Sequence, residues 1–246
     1  MQWFQADMHV HTVLSPCGGL DMSPVNIIRK AKEKKLDIIA ITDHNSTKHC
    51  KSAQRIGNNY GITVIAGVEV NTEEEIHCLA FFENLDQTEK FQQFLDDKLM
   101  VIRNKPEIFG HQFVVDENED IMEEEERLLV ASLKAGIDEV ATQVALLNGI
   151  FIPAHINRPH NGIFSQLGFL PDYIRFDALE VSRMNGLEDF LKAHPETAEY
   201  CLVTNSDAHS LKQLGSSPTG YYLEEPTFQE IRMALGNING RKVHKL

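Results

Sequence analysis

The stretch Asp7-Met8-His9-Val10-His11 ends an apolar run that begins at Trp3. In an extended strand, residues two positions apart point to the same face, so His9 and His11 can bind one ion together. A buried strand seldom carries three polar groups in five positions unless those groups have a partner. The stretch therefore predicts a strand that ends in a metal site.

Further polar clusters follow the next apolar runs of the chain. A lone histidine near a strand end is more often structural than a ligand, but a whole series of such clusters is specific. In chain order, the clusters are Thr42-Asp43-His44, Gly67-Val68-Glu69, His77, Pro153-Ala154-His155 and Asn205-Ser206-Asp207-Ala208-His209. All except His77, which lies within a predicted strand, stand at the carboxyl end of one, where α/β barrels build their active sites. The series predicts one metal centre built from several strand ends.

Apolar runs alternate with helix-like segments, as a parallel sheet with crossover helices requires. The predicted strands are residues 3–10, 37–42, 63–68, 76–82, 150–154, 178–181 and 202–204. Ser23 and Pro24 predict the start of a helix over residues 24–35. Thr227-Phe228-Gln229-Glu230 predicts a capping box that opens the last helix, which Gly236 should end. With 246 residues, the chain has the length of an α/β barrel, so we expect a single domain over residues 1–246.

The composition excludes several classes of protein. The hydrophobic share of 42% is too high for a disordered chain, and no apolar run approaches the roughly 18 residues of a membrane span. The N-terminus lacks the basic start and apolar stretch of a signal peptide, and four scattered cysteines form no CxxC pair. We therefore expect a cytoplasmic protein without a membrane partner.

The formal net charge is −13, from 23 basic and 36 acidic residues. Such a surplus disfavours stable binding of nucleic acid, whose phosphates are held by Lys and Arg. Eight of the acidic residues lie in the segment 116–126, which contains no basic residue. Runs of like charge are usually solvated, so we expect residues 116–126 to be exposed to solvent, within an acidic excursion around residues 107–135.

The series of motifs resembles that of the PHP (polymerase and histidinol phosphatase) family of metal-dependent phosphoesterases. The motifs that carry the resemblance are DMHVH (7–11), ITDHN (41–45), GVEV (67–70), EIHCL (75–79), PAHINRP (153–159) and NSDAH (205–209). The resemblance implies an α/β fold, a distorted (β/α)7 TIM-like barrel whose metal centre lies at the C-terminal ends of the strands. It also implies two or three divalent ions as cofactors.

The resemblance further implies which residues bind each ion. One ion would be held by His9, His11, Glu69 and Asp207. Glu69 would bridge to a second ion that His77 and His155 complete, and His44 and His209 would hold a third. Asp7 and Asp43 would be carboxylates that orient the histidines, as metal-bound imidazoles regularly require.

The sequence departs from the family at one position. Some members with three ions carry a further His or Asp shortly after the first motif, where this chain has Ser15-Pro16-Cys17-Gly18-Gly19. Cys17 is either a thiolate ligand, which would favour zinc, or an inert loop thiol. Glu180 is either an additional polar group of the site or the partner of a neighbouring residue in a salt bridge.

The expected chemistry is the hydrolysis of a phosphate ester. Mixed His and carboxylate ligation suits Zn²⁺, Mn²⁺ or Fe²⁺, and ions a few ångströms apart favour a metal-bridging hydroxide as nucleophile. We expect Arg158 and His160, and then Arg183, to bind the phosphate of a small metabolite or nucleotide.

Three alternatives to this function stay open. One is an amidohydrolase-like C–N hydrolase, although no Lys stands at a matching strand end. The second is a catalytically silent metal-binding sensor. The third is a polymerase-associated nuclease, although the chain has no room for a polymerase. The remaining histidines are not expected to be ligands: His49 is off the ligand pattern, His111 lies near the acidic segment, and His194 and His244 have no partners in sequence.

Overall fold

The computed structural model describes residues 1–183 and 186–244. The strands are β1 (Gln2–Val10), β2 (Ile38–Ile41), β3 (Thr63–Asn71), β4 (His77–Phe82), β5 (Phe113–Val115), β6 (Ile121–Glu124), β7 (Ile150–Pro153), β8 (Leu179–Glu180), β9 (Leu202–Val203), β10 (Thr219–Leu223) and β11 (Lys242–Val243). The helices are α1 (Pro24–Glu33), α2 (Cys50–Tyr60), α3 (Leu85–Lys98), α4 (Pro106–Phe109), α5 (Ile137–Leu146), α6 (Ile163–Leu167), α7 (Leu187–Ala193) and α8 (Phe228–Leu235), with a 3₁₀ turn at Pro195–Glu199. Each of the seven predicted strands corresponds to an observed strand, within a few residues at its ends.

The strands curl into a distorted TIM-like barrel, which confirms the predicted fold class. One sheet has the order β11-β10-β1-β2-β3-β4-β7, and β8 pairs with β9 in a second, parallel sheet. A hydrogen bond from Ile156 N to Glu180 O (2.9 Å) joins the end of β7 to β8. A parallel bridge between Val10 and Ala208 brings the segment after β9 back against β1. The carboxyl ends of β1, β2, β3, β7, β8 and β9 therefore surround one mouth.

Strand β4 differs from the parallel alternation that the sequence suggests. It pairs antiparallel with both β3 and β7, because only residues 72–76 separate β3 from β4 and no crossover helix lies between them. His77, the first residue of β4, consequently lies at the same mouth as the carboxyl ends of the other strands. The reversal brings a residue from the start of a strand into the predicted site.

Two layers of apolar side chains hold the barrel together. Alternate residues of β1, among them Phe4, Ala6 and Met8, pack in the interior with side chains of β2, β7 and α8. Helices α1 and α2 cover one outer side of the sheet, and α3 and α5 cover another. In this arrangement the side chains at the mouth are carried by strands that are packed on both faces.

The helix starts follow the predicted capping residues. Ser23 Oγ accepts a hydrogen bond from Asn26 N (3.2 Å) at the start of α1, and Thr227 Oγ1 accepts one from Glu230 N (3.4 Å) at the start of α8. The predicted capping box of α8 is wrong in its second half. The Glu230 carboxylate accepts from Glu224 N instead of the Thr227 amide, because it also pairs with Arg241.

Strands β5 and β6 form a hairpin that docks on the α1–α2 side, and the acidic segment makes up its turn and its second strand. Residues 117–124 are exposed, as expected, whereas Glu125 is buried between Lys48 (2.9 Å) and Arg127 (3.1 Å). At the turn, Glu119 accepts a hydrogen bond from Ser23 Oγ (2.6 Å). The segment is therefore anchored to the barrel at both ends. Within residues 1–183 and 186–244, no helix is long and apolar enough to cross a membrane.

Candidate metal centre

A β-bulge at the end of β1 turns its two histidines toward the mouth of the barrel. The register between β1 and β2 shifts between Asp7 and Val10. Met8 packs in the barrel interior, whereas Val10, two residues later, packs outside with α1. Bulges re-aim side chains in this way at barrel rims. His9 and His11, both fully buried, therefore face the residues of the other strand ends.

Four of the predicted ligands form one tight cluster. Atoms of His9, His11, Glu69 and Asp207 all lie within 4.8 Å of one another. His9 Nε2 is 3.2 Å from Glu69 Oε1, and His11 Nε2 is 3.1 Å from Asp207 Oδ1. These are the four residues that the family resemblance assigns to a single ion.

Glu69 connects this cluster to the remaining histidines. Its carboxylate lies within 3.3 Å of five imidazoles, those of His9, His11, His44, His77 and His155. A second group of candidate ligands consists of His44, Glu69 and His77, and a third consists of His11, His44 and His209. Glu69 thus lies where the resemblance puts a bridging ligand. His44, which the resemblance assigns to the third ion, also belongs to the group of Glu69 and His77.

The donor atoms fit divalent metal ions. His9 Nε2 and His11 Nε2 lie 3.2 Å apart, so two nitrogen lone pairs meet unless a proton or a cation stands between them. Among the described residues, His44 Nδ1, His155 Nδ1 and Asp207 Oδ1 are buried without a hydrogen-bond partner. Buried polar atoms are rarely left unsatisfied. Neutral imidazoles and carboxylates at such spacing are the ligand set of Zn²⁺, Mn²⁺ and Fe²⁺.

The charges of the cluster depend on one another. Burial opposes protonation of His11, but the adjacent carboxylates of Asp207 and Glu69 prevail and raise its pKa to about 9. For Glu69, burial favours the neutral acid, yet the surrounding imidazoles hold its pKa well below the usual range. Burial and the nearby His11 lower the pKa of His209 to about 4. Protons therefore stabilise the carboxylates here, and bound metal ions would replace those protons.

Glu180 orients His9 and was only an open alternative in the sequence. His9 Nδ1 lies 3.0 Å from Glu180 Oε2, which leaves Nε2 for the cluster. The buried carboxylate also accepts from His155 N (3.0 Å) and from Asn205 Nδ2 (2.8 Å). The salt bridge expected for Glu180 exists, and its partner is a predicted metal ligand.

Asp7 and Asp43 support the centre in different ways. Asp7 accepts from the backbone N–H groups of Ser206 (3.0 Å) and Gly215 (2.8 Å), so it positions the loop that carries Asp207. Among the described residues it makes no hydrogen bond to an imidazole, which differs from the orienting role expected for it. Asp43 reaches a histidine indirectly: it accepts from Ser15 Oγ (2.7 Å). That oxygen lies 3.0 Å from His11 Nδ1.

The predicted phosphate-binding residues line one cavity of about 660 Å³ beside the cluster. Arg158, His160 and Arg183 all contribute to its wall, together with several of the candidate ligands. Arg158 Nη1 donates to Asp207 Oδ2 (2.6 Å), and its Nε donates to Ser182 Oγ (2.9 Å). The guanidinium is therefore held next to a candidate metal ligand, on the wall of the cavity.

Cys17 and the four remaining histidines lie outside the three ligand groups. Cys17 is exposed and belongs to none of the three ligand groups, although its side chain lies close to His44, so its ligand role stays a prediction. His111, His194 and His244 lie elsewhere, as expected, against Glu124, Phe164 and Trp3. His49, off the ligand pattern in sequence, belongs to none of the three ligand groups, yet it is buried beside Asp43, 2.6 Å from Thr12 Oγ1.

Fold and site together define a class of protein. A distorted TIM-like barrel with a buried His–carboxylate cluster at its mouth is the architecture of metal-dependent hydrolases. The family model of the PHP domain matches residues 7–169, well over half of the chain, so the protein belongs to the PHP domain family. This match confirms the resemblance inferred from the motifs.

Known proteins resemble the chain over nearly its whole length. The uncharacterized protein YqxK of Bacillus subtilis is 24% identical over an alignment of 274 positions, which covers 99% of this chain and 64% of YqxK. The lesion-specific endonuclease PfuEndoQ from Pyrococcus furiosus is 22% identical with a TM-score of 0.74, over 98% of this chain and 58% of that one. A protein of Bifidobacterium adolescentis, whose name alone places it among the metal-dependent phosphoesterases, is 20% identical with a TM-score of 0.59. The similarity covers 83% of this chain and 87% of that one. The chain thus spans less than two thirds of YqxK and of the endonuclease, and these likenesses concern the fold.

Proposed function

We propose that residues 1–246 form one catalytic domain that hydrolyses phosphate esters with two or three divalent ions, Zn²⁺, Mn²⁺ or Fe²⁺. The observation that carries this proposal is the Glu69 carboxylate, which lies within 3.3 Å of five imidazoles at the mouth of the barrel. When bound there, the ions supply a water-derived nucleophile at neutral pH and neutralise charge on the phosphoryl group.

The protein's own residues bind and orient the reactants. His9, His11, Glu69 and Asp207 hold the first ion, and the other histidines at Glu69 complete the remaining sites. Arg158 binds the phosphate next to Asp207, with His160 and Arg183 on the cavity wall. Each of these groups acts by binding a metal ion or the phosphate. No side chain therefore has to form a covalent bond to phosphorus.

We propose a small phosphorylated metabolite or a nucleotide as the substrate. The cavity of about 660 Å³ has the size of small-molecule sites, and a chain with a net charge of −13 repels long polyanions. A lesion-bearing DNA strand is the second candidate. It is favoured by the fold shared with endonuclease Q, which has been solved with a duplex that carries an abasic lesion at its active site.

Metal dependence is the first test of the proposal. Chelator-treated protein should lose all phosphoesterase activity, and Mn²⁺ or Zn²⁺ should restore it. Undiminished turnover after removal of the metal would contradict the proposed chemistry. Stoichiometric metal with no turnover of any ester would instead identify a binding module.

A substrate panel separates the remaining candidates. p-Nitrophenyl phosphate and bis-p-nitrophenyl phosphate report monoesterase and diesterase activity, and simple amides report C–N hydrolysis. A duplex oligonucleotide with one abasic site, compared with the undamaged duplex, tests the DNA candidate. Cleavage of the abasic duplex alone would overturn the small-substrate proposal and leave ester hydrolysis intact.

A further inference from the structure

A chain of hydrogen bonds leads from the backbone of β5 toward the metal centre. Val115 N donates to His49 Nε2 (2.9 Å), and His49 Nδ1 lies 2.6 Å from Thr12 Oγ1. Thr12 Oγ1 in turn donates to Asp43 Oδ2 (2.7 Å). The side chains of His49, Thr12 and Asp43 are all buried. The chain connects the acidic hairpin to the site through a histidine that the ligand series does not include.

The backbone amide sets the direction of these hydrogen bonds. An amide N–H can only donate, so His49 must accept at Nε2 and carry its proton on Nδ1. That proton is donated to Thr12 Oγ1, and the Thr12 hydroxyl proton is therefore left for Asp43. Without the Val115 amide, His49 could accept at Nδ1 and draw the hydroxyl proton away from Asp43.

Asp43 extends the same polarity to His11. Its Oδ1 accepts from Ser15 Oγ (2.7 Å) and from Thr12 N (2.7 Å). Because the Ser15 proton is directed at Asp43, the Ser15 oxygen accepts from His11 Nδ1 (3.0 Å). His11 then presents the lone pair of Nε2 to the space that it shares with Glu69 and Asp207. A metal ligand needs this tautomer.

We propose that His49 is a positioning residue of the metal centre, and that the docked β5–β6 hairpin helps to set metal affinity at His11 through Thr12, Asp43 and Ser15. The inference rests on the metal binding proposed above and adds the hairpin to the centre. Partners of ligand histidines commonly change metal affinity by 10–100-fold. Because the Thr12 hydroxyl acts through Asp43 and Ser15, two steps beyond the direct partner of His11, we expect the lower end, about tenfold.

A pair of matched variants tests the role of the hydroxyl. Thr12→Val removes it with little change of shape, and Thr88→Val removes another buried threonine hydroxyl, which donates to Asn84 O (2.8 Å) on α3. Zn²⁺ affinity is measured for both by competition with a chromophoric chelator. Thr12→Val should bind about tenfold more weakly than the wild type, and Thr88→Val should bind equally well. Equal affinities of the two variants would overturn the proposal.

Two replacements of His49 test the ring itself. His49→Gln retains one donor and one acceptor and should keep affinity close to that of the wild type, whereas His49→Leu retains neither and should weaken binding. If His49→Leu does not fold, the Zn²⁺ affinities of His49→Gln and Thr12→Val still test the relay. Weaker binding by His49→Gln than by Thr12→Val would contradict the relay.

The tautomer of His49 can be read without any metal. Imidazole ¹⁵N shifts of the metal-free protein should show His49 protonated at Nδ1 and bare at Nε2, the less common form of a neutral histidine. A proton on Nε2 would overturn the proposal. The two proposals can therefore fail separately. A wild type that binds no Zn²⁺ would contradict the proposed function, whereas the position of the His49 ring proton tests only the relay.

Discussion

Glu180 offers the sharpest test of how the metal centre is built. Its carboxylate serves three donors at once: His9 Nδ1 at 3.0 Å, His155 N at 3.0 Å and Asn205 Nδ2 at 2.8 Å. Glu180→Gln removes the charge and replaces one acceptor oxygen by an NH₂ group. That group cannot accept a hydrogen bond from the donor that it faces. The change therefore leaves the cluster in place but disturbs the orientation of His9.

The expected loss follows from the hydrogen bond to His9. A hydrogen bond with a charged partner contributes about 1.5–3 kcal/mol, and each 1.4 kcal/mol is a factor of ten in a dissociation constant. This corresponds to a loss in metal affinity of roughly 10–100-fold, the range usual for partners of ligand histidines. Because Glu180 is 2% exposed, water does not replace the lost acceptor.

The assay is competition for Zn²⁺ against a chromophoric chelator, with the melting temperature of the metal-free protein measured in parallel. Glu199→Gln, the same substitution at an exposed glutamate, is the control and should bind like the wild type. If Glu180→Gln retains wild-type affinity while its metal-free form is as stable as the wild type, then Glu180 does not orient His9. Equal losses in the two variants would point to net charge instead of orientation.

Three further outcomes are expected. Arg158→Ala should raise KM for phosphate esters about 10–100-fold with unchanged metal content by mass spectrometry, because it removes a charged hydrogen-bond donor; an emptied site would show that Arg158 serves to hold Asp207. Burial opposes ionisation of Glu125, but Arg127 and Lys48 lower its pKa from 4.5 to about 2. The contribution of the ionised Glu125 to the stability of the fold is therefore present above pH 4.5 and is lost as the pH falls toward 2. Glu125→Gln should therefore destabilise the fold at pH 7 by about 1–2 kcal/mol, after allowance for the partly exposed partners, and much less at pH 3, as measured by urea unfolding. Cys17→Ser should retain the wild-type number of zinc ions, because Cys17 is exposed and outside the ligand groups, and the loss of one ion per chain would make it a ligand.

Much of the centre was predictable because its ligands are adjacent in sequence to the strands that carry them. The alternation of an extended strand predicted that His9 and His11 share a face, and each later cluster follows an apolar run that can be recognised without a structure. The start of α1 was predictable for the same reason, since Ser23 and Pro24 act on the adjacent turn. These features depend on interactions over a few residues, which leave a local pattern.

The bulge of β1 was not predictable in this way, and the direction of β4 can be read only from the length of its connection to β3. Residues 72–76 are too few for the crossover that a parallel strand requires, but the apolar pattern of β4 is the same in either direction. The bulge depends on how β1 pairs with β2, more than thirty residues away. Both features nevertheless decide which side chains reach the mouth of the barrel.

The sequence was enough to predict the barrel class, the family and the candidate metal ligands. How those residues are held depends on the folded structure: His9 is held by Glu180, 171 positions away, and His11 by a relay that ends at Val115. The physical reason is that a buried carboxylate or imidazole is oriented by whichever donor packs against it. Such a partner comes from a distant segment and has no fixed spacing along the chain. Thus His49, without any recognisable pattern in the sequence, lies in the hydrogen-bond network of the centre.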